Sequence, residues 1–388
     1  MVAHTCYRHT DCLRTKDMDS LPVELLRVVF EACDPPSVRS LRAVARILAD
    51  VGYDYLLPPH ITIVWGDDGI KRLHSIAAHQ RLRTCIESVA VKVGSWPMKY
   101  PGYIQGVGGF EFRSSLLQLG NELEHALQML PNLKSVNLDL KEATPPGPNP
   151  HLWDTKDMAT ETAINAIVSA ASRGTLSSLA VHRLPLQILS VEPGRPQSSV
   201  RAINGLGRVL RFASNLTHLS LEFVNSAILY QRFPLDFQEL FSDFTFEKLT
   251  DLKLGGFACT ESELGSFLLR HAATLERLRL GGRAAWRKKD PVWGGITLYS
   301  GSWRSLFNSL AGKLPQLKRF HVEGFIENGD RLHLGLCMFE PLTDDAWEPC
   351  STPRTRSLQT PGRQQYLMNS SDLERFLLHG GPNPVLMM

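Results

Sequence analysis

The sequence predicts an α/β fold: an N-terminal helical hairpin, then an irregular solenoid with parallel strands on its inner wall. Three observations predict it. Two short amphipathic helical patterns stand between Met18 and Val51. From Leu133 onward a strand pattern of the form L-x-x-L-x-L recurs six times. An amphipathic helical pattern alternates with those strands, which is how stacked helix–strand units bury a shared core.

The first helix opens with Ser20 as a cap and Pro22 in its first turn. Leu21, Leu25, Val28 and Val29 recur on one face until Cys33 and Asp34-Pro35-Pro36 stop it. A second helix opens at Pro36 or Ser37 and carries Leu41, Val44, Ile47, Leu48 and Val51 up to Gly52. A short β-rich run, Ile61–Trp65, closes the segment. Two helices this short cannot close a core, so they pack on the next domain, on a partner, or on both.

The repeating strands begin at Leu133, Leu176, Leu216, Leu249, Leu275 and Leu317, with spacings of 26 to 43 residues. Only the shortest spacing lies within the roughly 20 to 29 residues of a standard leucine-rich repeat. Leu116, Leu119, Leu123, Leu127 and Leu130 line one helix; Trp303, Leu306, Phe307, Leu310 and Leu314 line another. Thr260-x-x-Glu263 reads as a capping box. Proline-rich stretches at Ala143–Trp153 and Val191–Ser199 read as projecting loops. The expected division is an extension over 1–17, a helical segment over 18–65, repeats over 66–340, a mobile loop over 341–370 and a capping helix and tail over 371–388. That last helix has Leu373, Phe376 and Leu377 on one face and stops at Gly380-Gly381.

Composition narrows the function. In 388 residues, 43% hydrophobic and 21% charged, 42 Lys and Arg face 39 Asp and Glu, a balance that argues against nucleic acid as a partner. No run of 18 apolar residues suggests a membrane span, and Met1–Asp17 lacks the apolar core of a secretory signal. Seven cysteines, odd in number and without a C-x-x-C pair, suit the reduced thiols of an intracellular protein of cytoplasm or nucleus.

The patterns that carry bond chemistry are absent: no G-x-S-x-G, H-E-x-x-H or Walker loop occurs. Gly106-x-Gly108 and Gly205-x-Gly207 lack the third glycine of a dinucleotide turn. Asp67-Asp68 and Asp344-Asp345 read as solvated turns, and His4-x-Cys6-x-x-His9-x-x-Cys12 is too tightly spaced for a zinc finger. The expectation is no catalytic residue, no metal and no cofactor. Arg277, Arg279, Lys318 and Arg319 give the later strands a basic bias, which reads either as a target-binding patch or as a solvated face.

Met18 to about Trp65 resembles an F-box of the form common in filamentous fungi. The residues that carry the resemblance are Leu21-Pro22-x-Glu24-Leu25-Leu26-x-x-Val29-Phe30, then Asp34-Pro35, then Leu41-Arg42-x-Val44-x-Arg46. At Ile47-Leu48-Ala49 the sequence departs from the family, in which an aromatic residue often follows the arginine. The remainder is similar to the leucine-rich-repeat region that follows such F-boxes, including Gly301-Ser-Trp303-Arg-Ser-Leu306-Phe307 and the Asp372–Gly381 segment. The resemblance implies a substrate receptor of an SCF-type cullin-RING ubiquitin ligase. Leu21, Pro22, Leu25, Val28, Leu41 and Val44 would dock on the Skp-type adaptor, and the repeats would hold a target protein. The alternative is a protein-interaction scaffold, outside ubiquitin transfer, with a divergent F-box.

Overall fold

The computed structural model describes residues 21–93, 109–140, 151–185, 198–224, 237–241, 244–281, 295–328, 336–339, 365–367 and 370–384. The Met1–Asp17 extension with its His and Cys residues, the Gly106-x-Gly108 turn and Asp344-Asp345 lie outside the described residues.

The N-terminal segment is three helices rather than two: α1 (Val23–Glu31), α2 (Pro35–Arg42) and α3 (Arg46–Val51), followed by a 3-10 turn over Gly52–Tyr55. The cap of α2 is Asp34, one position before the prolines, whose carboxylate accepts from Ser37 N at 2.9 Å. The Ser37 side chain, together with that backbone bond, holds the Asp34 carboxyl below its usual range. The single helix expected from Pro36 or Ser37 to Val51 breaks at Ala43–Ala45, where Ala45 is extended. Leu26, Phe30, Val38 and Leu48 form a small core of their own, separate from the main one. The inward face of α1 is therefore the Leu26–Phe30 stripe and not the expected Leu25–Val28 stripe.

The rest is a mixed α/β assembly on an open, eight-stranded parallel sheet. In chain order its elements are β1 (His60–Val64), α4 (Asp67–Ala78), α5 (Leu82–Cys85), β2 (Ser88–Lys92), α6 (Gly109–Gln128), β3 (Ser135–Asp139), α7 (His151–Ala171), β4 (Ser178–Pro185), α8 (Ser198–Phe212), β5 (His218–Val224), α9 (Phe237–Phe241), β6 (Asp251–Gly255), β7 (Ala258–Thr260), α10 (Glu261–Arg270), β8 (Arg277–Gly281), β9 (Ile296–Ser300), α11 (Trp303–Leu310) and β10 (Arg319–Asn328). Then come β11 (Leu336–Phe339), β12 (Gln365–Leu367) and α12 (Ser370–His379). The parallel order is β1-β2-β3-β4-β5-β6-β8-β10; β7 pairs β9, β9 pairs β10, and β11 and β12 extend the edge. The sheet thus begins inside the segment assigned to the hairpin. Residues 365–367, expected in a mobile loop, pair in parallel with β11.

The strand order never reverses, so right-handed crossovers place the connecting helices on one face. They pack each on the next, from α4 through α6, α7, α8, α9 and α10 to α11. Close approach needs small residues: a Cβ on Gly120 of α6 would stand 2.1 Å from Thr162 Cγ2 of α7. One on Gly205 of α8 would meet Asn165 Oδ1 at 3.0 Å, so this glycine lets α8 pack closely on α7. The leading leucines Leu133, Leu176, Leu216, Leu249, Leu275 and Leu317 are all buried, joined by Ile86 before β2. Asp67-Asp68 open α4 instead of forming a loop, where the helix N-terminus favours negative charge.

One backbone device repeats along the parallel sheet, at the start of β2 to β6, β8 and β10. A single carbonyl accepts two successive amides of the next unit: Pro59 from Glu87 and Ser88, Glu87 from Lys134 and Ser135, Lys134 from Ser177 and Ser178. Ser177, Thr217, Thr250 and Glu276 continue the series to Lys318 and Arg319. The capping box of α10 is present, with Thr260 N donating to Glu263 Oε2 at 2.7 Å and Glu263 N to Thr260 Oγ1 at 3.1 Å. Helix α12 packs on β10 and α11 and stops at Gly380, as expected. Among the described residues no helix is long and apolar enough to cross a membrane.

Candidate functional site

The three N-terminal helices present an apolar outer surface. Leu25 is 51% exposed, Val28 61% and Val44 73%, and Val23, which the sequence reading passed over, is exposed too. Leu25 and Val28 stand three residues apart on α1 and are neighbours on its outer face. Pro22 is exposed, whereas Leu21 and Leu41 are half-buried and lean on the small core. Four of the nine large apolar residues that are exposed among the described residues thus fall between Val23 and Val44, so the apolar surface is concentrated here.

A polar joint ties these helices to the sheet. Arg81 Nη1 donates to Asp50 Oδ1 at 2.8 Å and Nη2 to Asp54 Oδ1 at 3.2 Å. Tyr53 OH lies 2.6 Å from His79 Nε2. Beside the joint is a cleft of about 740 Å³ lined by Phe30, Cys33, Tyr55, Pro58, Pro59, Cys85 and neighbours. Burial, with Asp54 adding to it, pushes the Cys85 thiol up, and burial does the same to Cys259, so neither is poised as a thiolate.

The face of the sheet away from the helices is a second candidate. Its registered rows run Ser88, Ser135, Ser178, His218, Asp251, Arg277, Arg319, and beside them Ala90, Asn137, Ala180, Ser220, Lys253, Arg279, His321. On β2 to β5 the second row is half-exposed; from β6 on, Lys253, Arg279 and His321 are buried, Arg279 to 4%. The buried atoms Asn137 Oδ1 and Ser220 Oγ have no hydrogen-bond partner.

The structure separates the expected basic patch into matched charges. Arg277 Nη2 meets Asp251 Oδ2 at 2.9 Å, Lys318 Nζ meets Glu276 Oε2 at 2.8 Å, and Arg319 Nε meets Glu374 Oε1 of α12 at 3.2 Å. Arg279 is interior. The basic bias of the sequence is therefore offset at Arg277, Lys318 and Arg319. The register that brings Glu276 to Lys318 and Asp251 to Arg277, and the carboxylate that α12 brings to Arg319, leave no signal in the sequence.

Hydrogen bonds also fix a tautomer. Thr217 Oγ1 donates to Ser177 O at 3.0 Å, so it accepts from His218 Nδ1 at 2.7 Å. His218 Nε2 is then the acceptor for Arg277 Nη2 at 3.3 Å. At the other ends of the strands Glu222, buried, lies 3.5 Å from His182 Nδ1 and 3.7 Å from Lys253 Nζ. A register shift between Val181 and Leu184 puts Arg183 at φ 62°, from where it reaches Asp139. Nothing in the sequence marks that bulge. Compared with known proteins, the chain matches no family model and no curated relative.

Proposed function

We propose that this chain is the substrate-recognition subunit of a cullin-RING ubiquitin ligase and carries out no bond chemistry itself. Helices α1 to α3 dock on the Skp-type adaptor, as their resemblance to an F-box implies. The face of the sheet away from the helices holds the target, on β2 to β5 where its side chains are open. Holding both raises the local concentration of target lysines at the conjugating enzyme.

One observation carries this reading. Within α1, Leu26 and Phe30 close a core while Leu25 and Val28 remain in water, so the helix is apolar on two sides and satisfied on only one. Covering the second side returns about 25 cal/mol per Å² of apolar surface.

The test is co-expression of the full chain with the Skp-type adaptor of its own organism, capture, and size exclusion at moderate salt. The expected result is a one-to-one complex that Leu25→Asp with Val28→Asp abolishes, while circular dichroism and melting are unchanged. Leu21 is the wrong position to probe, because it leans on the small core. Folded wild-type chain that captures no adaptor overturns the proposal in favour of a scaffold.

A further inference from the structure

The seam between α4 and α6 brings together two imidazoles that the docking reading leaves unused. His74 Nε2 lies 3.1 Å from His125 Nδ1, with ring centroids 5.3 Å apart and planes inclined by 24°. The residues are 51 apart in sequence and come from separate helices. His74 is half-buried and His125 exposed, so solvent reaches the pair. Beneath them Leu73, Ala77, Leu123 and Ala126 are fully buried, so the two helices hold the rings from rigid ground.

We propose that His74 and His125 form a two-imidazole site for a divalent transition-metal ion of the Ni²⁺, Cu²⁺ and Zn²⁺ group. Imidazole nitrogens bind such ions at about 2.0–2.1 Å, which sets neighbouring ligand nitrogens about 2.9 Å apart at right angles and about 3.4 Å apart at the tetrahedral angle. The observed separation falls between the two. In the metal-free pair one ring donates its proton to the other. On binding, that proton moves to the far nitrogen of its own ring, both facing lone pairs turn to the ion, and the neutral pair releases no proton. Nitrogen donors without carboxylates disfavour Ca²⁺ and Mg²⁺.

Among the described residues no group of three or more His, Cys, Asp or Glu is placed to hold a metal. The ion would therefore keep water in its remaining positions and exchange readily, unlike a closed four-ligand structural centre. It would also clip α4 to α6.

The test uses the full-length protein and Ni²⁺ alone, by calorimetric titration in a non-chelating buffer with parallel thermal melts. The wild type is expected to take up one equivalent more than His74→Gln or His125→Gln, and to rise in melting temperature with Ni²⁺ where neither variant does. Glutamine keeps both surfaces polar, so the variants fold. Equal uptake by all three proteins, which would place the ion on thiols or on the N-terminal His and Cys residues, overturns the proposal. So does a wild type that takes up none.

Discussion

The Arg81 guanidinium carbon lies 4.6 Å from the centre of the Tyr53 ring, and Arg42 lies over the same ring at 4.7 Å. Arg42 comes from α2 and Arg81 from the segment before β2, so Tyr53 is a point where the N-terminal helices and the rest of the chain grip each other. Cation–π contacts at such partly exposed sites are modest but directional. Tyr53→Leu is expected to speed amide exchange in α1 to α3 roughly two- to fivefold and leave β2 to β8 unchanged. Hydrogen-exchange mass spectrometry reads both regions at once; equal acceleration in the sheet would mean that Tyr53 supports the whole fold.

Gly120→Ala tests the packing of α6 on α7. Alanine raises intrinsic helix stability by about 1 kcal/mol, but its methyl carbon would stand 2.1 Å from Thr162 Cγ2. The clash wins, and a net loss of about 1–3 kcal/mol is expected in urea unfolding. Thr162→Ser in the same chain should restore part of it; purely additive losses would deny the contact.

Arg183 gives an inverted expectation. At φ 62° a side chain costs about 1–2 kcal/mol that glycine does not. Arg183→Gly should therefore be more stable than Arg183→Ala by about 1 kcal/mol, both having lost the Asp139 pair. Denaturant midpoints of the two variants decide it, and the opposite order would show the bulge relaxing.

His271 makes stability depend on pH. It is buried, donating through Nδ1 to Phe267 O at 2.8 Å and accepting at Nε2 from Phe246 N at 3.0 Å. Burial, helped by the charge of Arg270 and opposed by the Phe267 carbonyl, holds its pKa below the ordinary 6.5. The folded state keeps the ring neutral while the unfolded chain takes up a proton near 6.5. This contribution is therefore complete above that pH and is lost as pH falls from 6.5 toward the folded value, by at most about 1.4 kcal/mol per unit. His271→Gln, which retains a donor and an acceptor, should flatten that part of the profile between pH 7 and 5. An unaltered slope would assign the effect to other groups.

Much of this fold was legible because one requirement repeats. Each of these strands buries the same three positions under a helix; leucine leads all six units and fills all three positions in the units that begin at Leu216, Leu249 and Leu275. The β2 unit meets the requirement with Ile86, Val89 and Val91, which satisfy the core equally but break the leucine pattern. Strand β1 is legible as the β-rich run Ile61–Trp65, but without the L-x-x-L-x-L pattern it gives no sign that it opens the sheet. Within α1 the difficulty is phase. Val23, Leu25, Leu26, Val28, Val29 and Phe30 make the helix apolar on most sides, so a 3.6-residue period cannot say which side faces in. The outward placement of Leu25, Val28 and Val44 follows from which side Val38 and Leu48 fill. The matched charges of Arg277, Lys318 and Arg319 depend on register and on α12, neither of which a single segment encodes.

The shared carbonyls that join successive units, from Pro59 through Glu276, are backbone groups and make no demand on side-chain identity. Residues can therefore be added to or removed from the helices and loops between strands while every stitch stays in place, which is why units as short as 26 and as long as 47 residues coexist in one sheet. The same arrangement sets a mechanical character. A load drawn between Pro59 and Lys318 runs across the strands, meets the stitches one after another, and pays the chain out unit by unit rather than in a single rupture.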